Sequence, residues 1–185
     1  MIAVEPLEEM RGVLARTVPD AEQVAGTAEA LPFPDGSIDA VTVGQAFHWF
    51  VAERAVREIA RVLRPGGALG LVWNIRDLED PLQSELDHLL RPVRGGAPSE
   101  REQPWRSALE NSPFFGPGEE RSFSWEQPHT ADELAERIAS VSFVAQLEER
   151  KREELLAQVR ALVADRSEPF CFRYRTDVYV YPRLP

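Results

Sequence analysis

Three histidines, a lone cysteine and an acid set directly before a proline are the side chains of this chain best placed by type to do chemistry. His48 stands in the run Gln45-Ala46-Phe47-His48-Trp49-Phe50. An imidazole titrates near neutral pH and can take a proton from a reacting group. The same ring packs well beside Phe47, Trp49 and Phe50, and the sequence leaves both roles open. His88 follows Asp87 on a helical stretch and reads as exposed, while His129 precedes a helix cap; no pair of histidines has zinc-ligand spacing. Cys171 is the only cysteine. It excludes an internal disulfide and a thiolate zinc cluster, and it suits a reducing, cytoplasmic compartment. Glu5 ends the apolar run Met1-Ile2-Ala3-Val4 and precedes Pro6. A carboxylate there offers two oxygens, each able to accept hydrogen bonds. Trp73 and Asn74 end a second apolar run in the same way.

These groups need elements to hold them. Residues 1–4 read as the end of a buried strand, because the apolar run shows no amphipathic alternation. Leu7, Met10 and Leu14 follow at helical spacing. Residues 23–25 are a second short strand, and residues 28–36 carry the turn formers Pro32, Pro34, Asp35 and Gly36. Residues 38–43 form a third strand rich in β-branched side chains. A helix over 53–63 places Val56, Ile59, Ala60 and Leu63 on one face, and Arg64-Pro65-Gly66-Gly67 stops it. An apolar strand over 68–73 comes next. Strands alternating with amphipathic helices predict an α/β fold, a mostly parallel sheet with helices on both faces.

The second half differs. Leu82, Leu86, Leu89 and Leu90 mark a helix over 80–90, and residues 94–104 read as loop. Phe123 and Trp125 alternate with polar neighbours as in a half-exposed strand. Thr130-Ala131-Asp132-Glu133 has the capping-box form ahead of Leu134, Ile138 and Val141. A charged helix over 147–164 precedes a long final strand over 170–181, marked by the alternating Phe170, Phe172, Tyr174 and Val178, Val180. One domain over 1–185 is expected, with residues 1–79 and 80–185 as its halves.

Composition excludes several classes. The formal net charge is -10, which repels a phosphate backbone, and the arginines are interleaved with acids; no nucleic-acid partner is expected. No apolar run is long enough to span a bilayer and no signal-peptide pattern opens the chain, so no membrane association is expected. The dense charges of residues 148–154 read as a solvated helix face.

Four segments, in order and at matching intervals, resemble the class I S-adenosylmethionine-dependent methyltransferases, in particular the type 11 subgroup acting on small molecules. They are Val4-Glu5-Pro6 with Met10; Gly26-Thr27-Ala28-Glu29-Ala30-Leu31-Pro32-Phe33-Pro34-Asp35-Gly36-Ser37-Ile38-Asp39; Gln45-Ala46-Phe47-His48-Trp49-Phe50; and Leu63-Arg64-Pro65-Gly66-Gly67. Tyr174-Arg175-Thr176-Asp177-Val178-Tyr179 is similar to the subgroup's tail. The resemblance implies a Rossmann-like fold, with S-adenosylmethionine as cofactor and a small molecule as methyl acceptor. It implies that Glu5 holds both ribose hydroxyls, with Pro6 and Met10 beside it, and that Thr27, Ala28 and Glu29 hold the adenine edge. Many relatives have Asp where Thr27 stands. Gln45, Ala46 and Phe47 would lie near the methionine end, with His48, Trp49, Trp73 and Asn74 toward the substrate. His48 would be the catalytic base if the acceptor atom is oxygen or nitrogen, whereas a carbon or carboxylate acceptor needs little or no base. An acid after the second strand is shared with dinucleotide-binding dehydrogenases, but residues 28–32 and the His48-Trp49 pair argue against that class.

One family feature has no counterpart, the Gly-x-Gly-x-Gly loop and the first strand before it. The family's usual strand order is third, second, first, fourth, fifth, seventh, sixth, with the last strand antiparallel. The missing strand is the central one. The expectation is therefore a truncated methyltransferase domain with a helical insertion before the last two strands. Alone it should bind cofactor poorly and expose sheet edges that pair with a second copy. The alternative is a non-catalytic remnant or partner subunit of a complete methyltransferase.

Overall fold

A computed structural model of the chain describes residues 1–95 and 104–185. β1 (Ile2–Val4) and β2 (Glu22–Val24) pair in parallel, Val4 opposite Val24, as a sheet of their own. A second sheet has the order β3-β4-β6-β5, formed by Ile38–Gly44, Leu63–Arg76, Phe170–Pro182 and Glu119–His129 for β3, β4, β6 and β5. β3 and β4 are parallel. β6 runs antiparallel to β4: Gly66 N donates to Arg183 O, whereas Asp77 N donates to Arg173 O, so numbering falls on one strand as it rises on the other. The α/β class expected from the sequence is the class observed.

The chain divides into two compact units, Met1–Trp73 with Ser99–Arg121 and Val178–Pro185, and Asn74–Pro98 with Ser122–Asp177. In the first unit, α1 (Glu8–Thr17) buries no residue, and Leu7, Met10 and Val13 are exposed. α2 (Ala52–Val62) buries Ala55, Val56, Ile59, Ala60 and Val62, the one-sided stripe that its helical period dictates. It ends at Leu63, whose backbone is already extended. The segment 64–67 then joins β4 instead of forming a free turn, because Gly66 and Gly67 exchange backbone hydrogen bonds with Arg183. Between Ile38↔Leu63 and Ala40↔Ala68 the register shifts to absorb the extra residues. Leu69, Leu71 and Trp73 are buried at alternate positions of β4. α4 (Pro104–Glu110), which no pattern in the sequence announced, brings Trp105 and Leu109 into this core.

In the second unit, α3 (Pro81–Arg94) starts where Asp80 accepts from Leu82 N at 2.8 Å and Gln83 N at 3.1 Å, with Pro81 in the first turn. α5 (Ala131–Ala139) has the capping box read from the sequence: Thr130 Oγ1 accepts from Glu133 N at 3.3 Å and Glu133 Oε2 accepts from Thr130 N at 2.8 Å. α6 (Ser142–Ala145) and α7 (Glu149–Leu162) complete the layer. Leu82, Leu86 and Leu90 pack with Leu134, Ile138, Val144, Leu155 and Val159 around Phe170, Phe172 and Tyr174 of β6. The loop expected over 94–104 falls almost wholly outside the described residues. Helices therefore lie on both sides of β5 in sequence, α3 and α4 before it and α5 to α7 after it.

The long final strand read from the sequence forms as β6. Phe170, Phe172 and Tyr174 are buried, the next buried positions are Asp177, Tyr179 and Tyr181, and Val180 is 41% exposed. The parity changes by one residue between Tyr174 and Asp177, which turns the following side chains to the opposite face. Asp177 is held there by Ser122 Oγ at 2.7 Å and by Arg175 Nε and Nη2 at 2.8 and 2.9 Å. Among the described residues no helix is long and apolar enough to cross a membrane, and no group of His, Cys, Asp or Glu could hold a metal ion.

Candidate functional site

The carboxyl end of β1 carries Glu5. Its backbone N–H donates to Val24 O at 3.1 Å, which extends the β1–β2 ladder by one bond. Oε1 of its half-buried side chain accepts from Leu7 N at 2.9 Å, fixing the carboxylate over the start of α1. The Arg11 guanidinium clasps the same turn, donating to Glu5 O at 2.8 Å and to Pro6 O at 2.7 Å. Pro6 and Met10 are exposed beside it. Gly26 follows β2 in close contact with β1: a Cβ there would stand 3.0 Å from Val4 Cγ1 and 3.0 Å from the Pro32 ring, so a larger residue would press on both side chains. Residues 27–30 then form a tight turn closed by Ala30 N donating to Thr27 O at 3.2 Å. Thr27 is exposed and Ala28 and Glu29 are half-buried.

This turn is anchored to α2 by three side chains. Glu29 Oε1 accepts from Val51 N at 2.9 Å, satisfying a backbone donor at the start of the helix. Glu58 Oε1 accepts from Leu31 N at 2.8 Å, and Arg61 donates to Leu31 O at 3.0 Å and to Phe33 O at 2.9 Å. Glu58 and Asp35 on either side raise the Arg61 guanidinium above its ordinary range, and Arg61's hydrogen bond holds the Glu58 carboxyl below its own. Glu58 and Arg61 were read from the sequence only as part of an amphipathic helix. Their i, i+3 spacing was visible, but not the turn they grip.

The segment 45–50 leaves the end of β3. Gln45 has φ 55°, a left-handed conformation unusual for a residue with a Cβ, and its N–H donates to Val72 O at 3.0 Å. Ala46 precedes a 3₁₀ turn at Phe47–Trp49. Phe47 is 1% exposed, its ring 5.2 Å from Phe50 and 6.3 Å from Trp105. The half-buried His48 ring lies 5.2 Å from that of Trp49, which is 57% exposed. Phe47 therefore anchors the turn, and His48 and Trp49 stand outside the anchor.

Comparison with known proteins gives the family of the chain. A methyltransferase domain family matches residues 1–71. An uncharacterized methyltransferase-like protein of Schizosaccharomyces pombe is 38% identical over 161 residues, covering 86% of this chain and 62% of its own length. A second uncharacterized methyltransferase of the same yeast is 32% identical over 192 residues, covering 100% of this chain and 75% of its own length. The chain belongs to the class I S-adenosylmethionine-dependent methyltransferases. The solved YcgJ protein of Bacillus subtilis has a TM-score of 0.60 at 25% identity, covering 100% of this chain and 82% of that one. This methyltransferase chain thus spans somewhat less than two thirds of the first of these relatives.

Within the methyltransferase chain, two links join Glu5 to the turn of Thr27, Ala28 and Glu29, and a third ties that turn to Val51 at the head of α2, two positions beyond Trp49. They are the Glu5–Val24 bond, the Gly26–Val4 contact and the Glu29–Val51 bond. The two other residues singled out lie elsewhere. Trp73 is 2% exposed and stacked on Trp105 with centroids 4.7 Å apart and planes at 14°, so it is a core residue. Asn74 is exposed and its Oδ1 accepts from Thr176 Oγ1 at 2.7 Å, which in turn accepts from Trp125 Nε1 at 2.9 Å. His88 is exposed as read. His129 is buried, edge-on to Phe172, and burial pushes its imidazole below the ordinary histidine range.

Proposed function

We propose that this chain serves methyl transfer from S-adenosylmethionine to a small-molecule acceptor. The observation that carries the reading is the Glu5 carboxylate, fixed at the tip of a parallel strand and joined through Val4 and Gly26 to the turn at residues 27–30. One of its oxygens already accepts from Leu7 N. A carboxylate has about four lone-pair positions, so acceptor capacity remains for a pair of vicinal hydroxyls. The residues present therefore fit the ribose and adenine portion of the cofactor, with Glu5 taking the hydroxyls and residues 27–29 the base. The sequence holds no Gly-x-Gly-x-Gly run. For the methionine portion, this chain supplies Gln45, Ala46 and Phe47.

When bound, the sulfonium supplies an electrophilic methyl group. The chain's own residues would then orient the acceptor and manage its proton. Trp49 offers an exposed aromatic face against which an acceptor can stack. His48, held beside it by the Phe47 anchor, takes the proton of an oxygen or nitrogen acceptor.

The test is a titration of the isotope-labelled chain with S-adenosylhomocysteine, followed by amide chemical shifts. The expected result is weak, saturable perturbation confined to residues 4–6, 26–30 and 45–49, which Glu5→Ala removes. No perturbation, or the same perturbation in Glu5→Ala, refutes the reading.

A further inference from the structure

Arg61 uses every donor that its side chain possesses. A guanidinium carries five N–H groups in a rigid plane. Nε donates to Glu58 Oε2 at 2.9 Å, Nη1 to Phe33 O at 2.9 Å and Asp35 Oδ1 at 2.6 Å, and Nη2 to Leu31 O at 3.0 Å and Glu58 Oε1 at 2.7 Å. Glu58 Oε1 also accepts from Leu31 N at 2.8 Å. Leu31 is therefore held at both of its backbone groups, the carbonyl by Arg61 and the N–H by a carboxylate that Arg61 orients.

The grip falls one residue beyond the turn at 27–30. That turn is closed by a single backbone bond, Ala30 N to Thr27 O at 3.2 Å, and such a bond, open to competition from water, contributes little by itself. A peptide unit is planar, so fixing the Leu31 N–H fixes the Ala30–Leu31 plane and with it the exit of the turn. Asp35 is the lesser partner, since its side chain is 82% exposed and pairs of that kind contribute little. What the position demands is the fork and not the charge. A lysine ammonium offers three donors at one point and cannot serve Glu58, Leu31 and Phe33 at once.

We propose that Arg61 is a positioning residue for recognition of the adenine base, holding the backbone of residues 27–30 in the conformation that matches the hydrogen-bonding edge of the base. This rests on the function proposed above, which assigns residues 27–29 to adenine. Arg61 touches no ligand; it acts through Leu31. The consequence is specificity. Adenine presents an acceptor nitrogen beside an amino donor, whereas hypoxanthine presents an N–H donor beside a carbonyl acceptor. A backbone fixed for the first leaves mismatched groups against the second, and a slack turn adapts to both.

The isotope-labelled 185-residue chain is titrated with S-adenosylhomocysteine and with S-inosylhomocysteine, followed by amide shifts, and amide hydrogen exchange is measured without ligand. The parent should prefer the adenine compound about tenfold or more. Arg61→Lys should narrow that preference to about twofold or less, because the charge is kept and the fork is lost. Asp35→Asn should leave it unchanged. Without ligand, the Leu31 amide should exchange about tenfold faster or more in Arg61→Lys. Gly36, whose N–H donates to the backbone oxygen of Arg61 at 2.9 Å, should keep its protection. Glu58→Gln, which retains an acceptor for Leu31 N but not the paired contact to Arg61, should show the same changes at smaller amplitude. A role in general stability would move Leu31 and Gly36 together and weaken both ligands equally, and that result overturns the proposal, as does an Arg61→Lys chain that fails to fold. No binding by the parent sinks the methyl-transfer reading and base recognition with it. A parent that binds, with the preference or the Leu31 protection intact in Arg61→Lys, sinks this proposal alone.

Discussion

Replacing Trp105 by Ala should cost this protein a large part of its stability and loosen the turn that bears His48. Trp105 is 1% exposed and is stacked on Trp73, edge-on to Tyr179 at 5.0 Å and to Phe47 at 6.3 Å. Truncating a buried Trp to Ala costs about 3–5 kcal/mol through lost transfer energy and the cavity left behind. Three aromatic partners, at about 0.5–1.5 kcal/mol each, put the expectation at the upper end of that range. Against a typical domain stability of about 5–15 kcal/mol, the variant should be close to unfolding at moderate denaturant. Trp105→Phe should cost far less: it keeps most of the ring volume and removes an indole N–H that is buried without a hydrogen-bond partner among the described residues. The assay is urea unfolding followed by near-ultraviolet circular dichroism, which reports the Trp73–Trp105 stack, together with amide shifts of residues 47–49. A loss below about 1 kcal/mol in Trp105→Ala, or unchanged shifts at 47–49, would refute the argument that this stack anchors the 3₁₀ turn.

Two further outcomes can be checked. His129 is buried and its imidazole is held below its ordinary range by burial first, then by Arg137. The unfolded chain therefore binds the proton more readily, and stability should fall as pH drops from the unfolded-state value near 6.5 toward the folded one, at no more than about 1.4 kcal/mol per pH unit. His129→Phe should flatten that slope in unfolding curves measured from pH 7.5 to 5, and an unchanged slope would assign it to other groups. Second, β3 stands at one end of its sheet, with no strand paired on its outer edge among the described residues. Sedimentation should show association that grows with concentration and is suppressed by Thr42→Lys, since a charged edge resists strand pairing; a concentration-independent monomer contradicts it.

Much of the fold was legible because local patterns decide local elements. The α2 stripe, the Thr130 cap and the apolar run of β4 each bury or satisfy groups within a few residues of one another, so their spacing encodes the outcome. α4 was missed because seven residues carry too little periodicity, and its Trp105 has meaning only against Trp73 and Tyr179. Which residues of β6 are buried beyond Tyr174 is hidden for a related reason: a one-residue change of parity leaves alternation intact on either side.

By itself the sequence determined the family: the motif around Glu5, the turn after Gly26, the aromatic run with His48 and the Leu63 to Gly67 stop are fixed in type and interval along the chain. Tertiary structure alone decided which side chains serve each other, for example Glu29 at Val51, Arg61 at Leu31 and Phe33, and Ser122 at Asp177. The physical reason is range. Helix period, capping and turn chemistry act over a few bonds, whereas burial and the pairing of charges depend on segments tens of residues apart that meet only when the chain has folded.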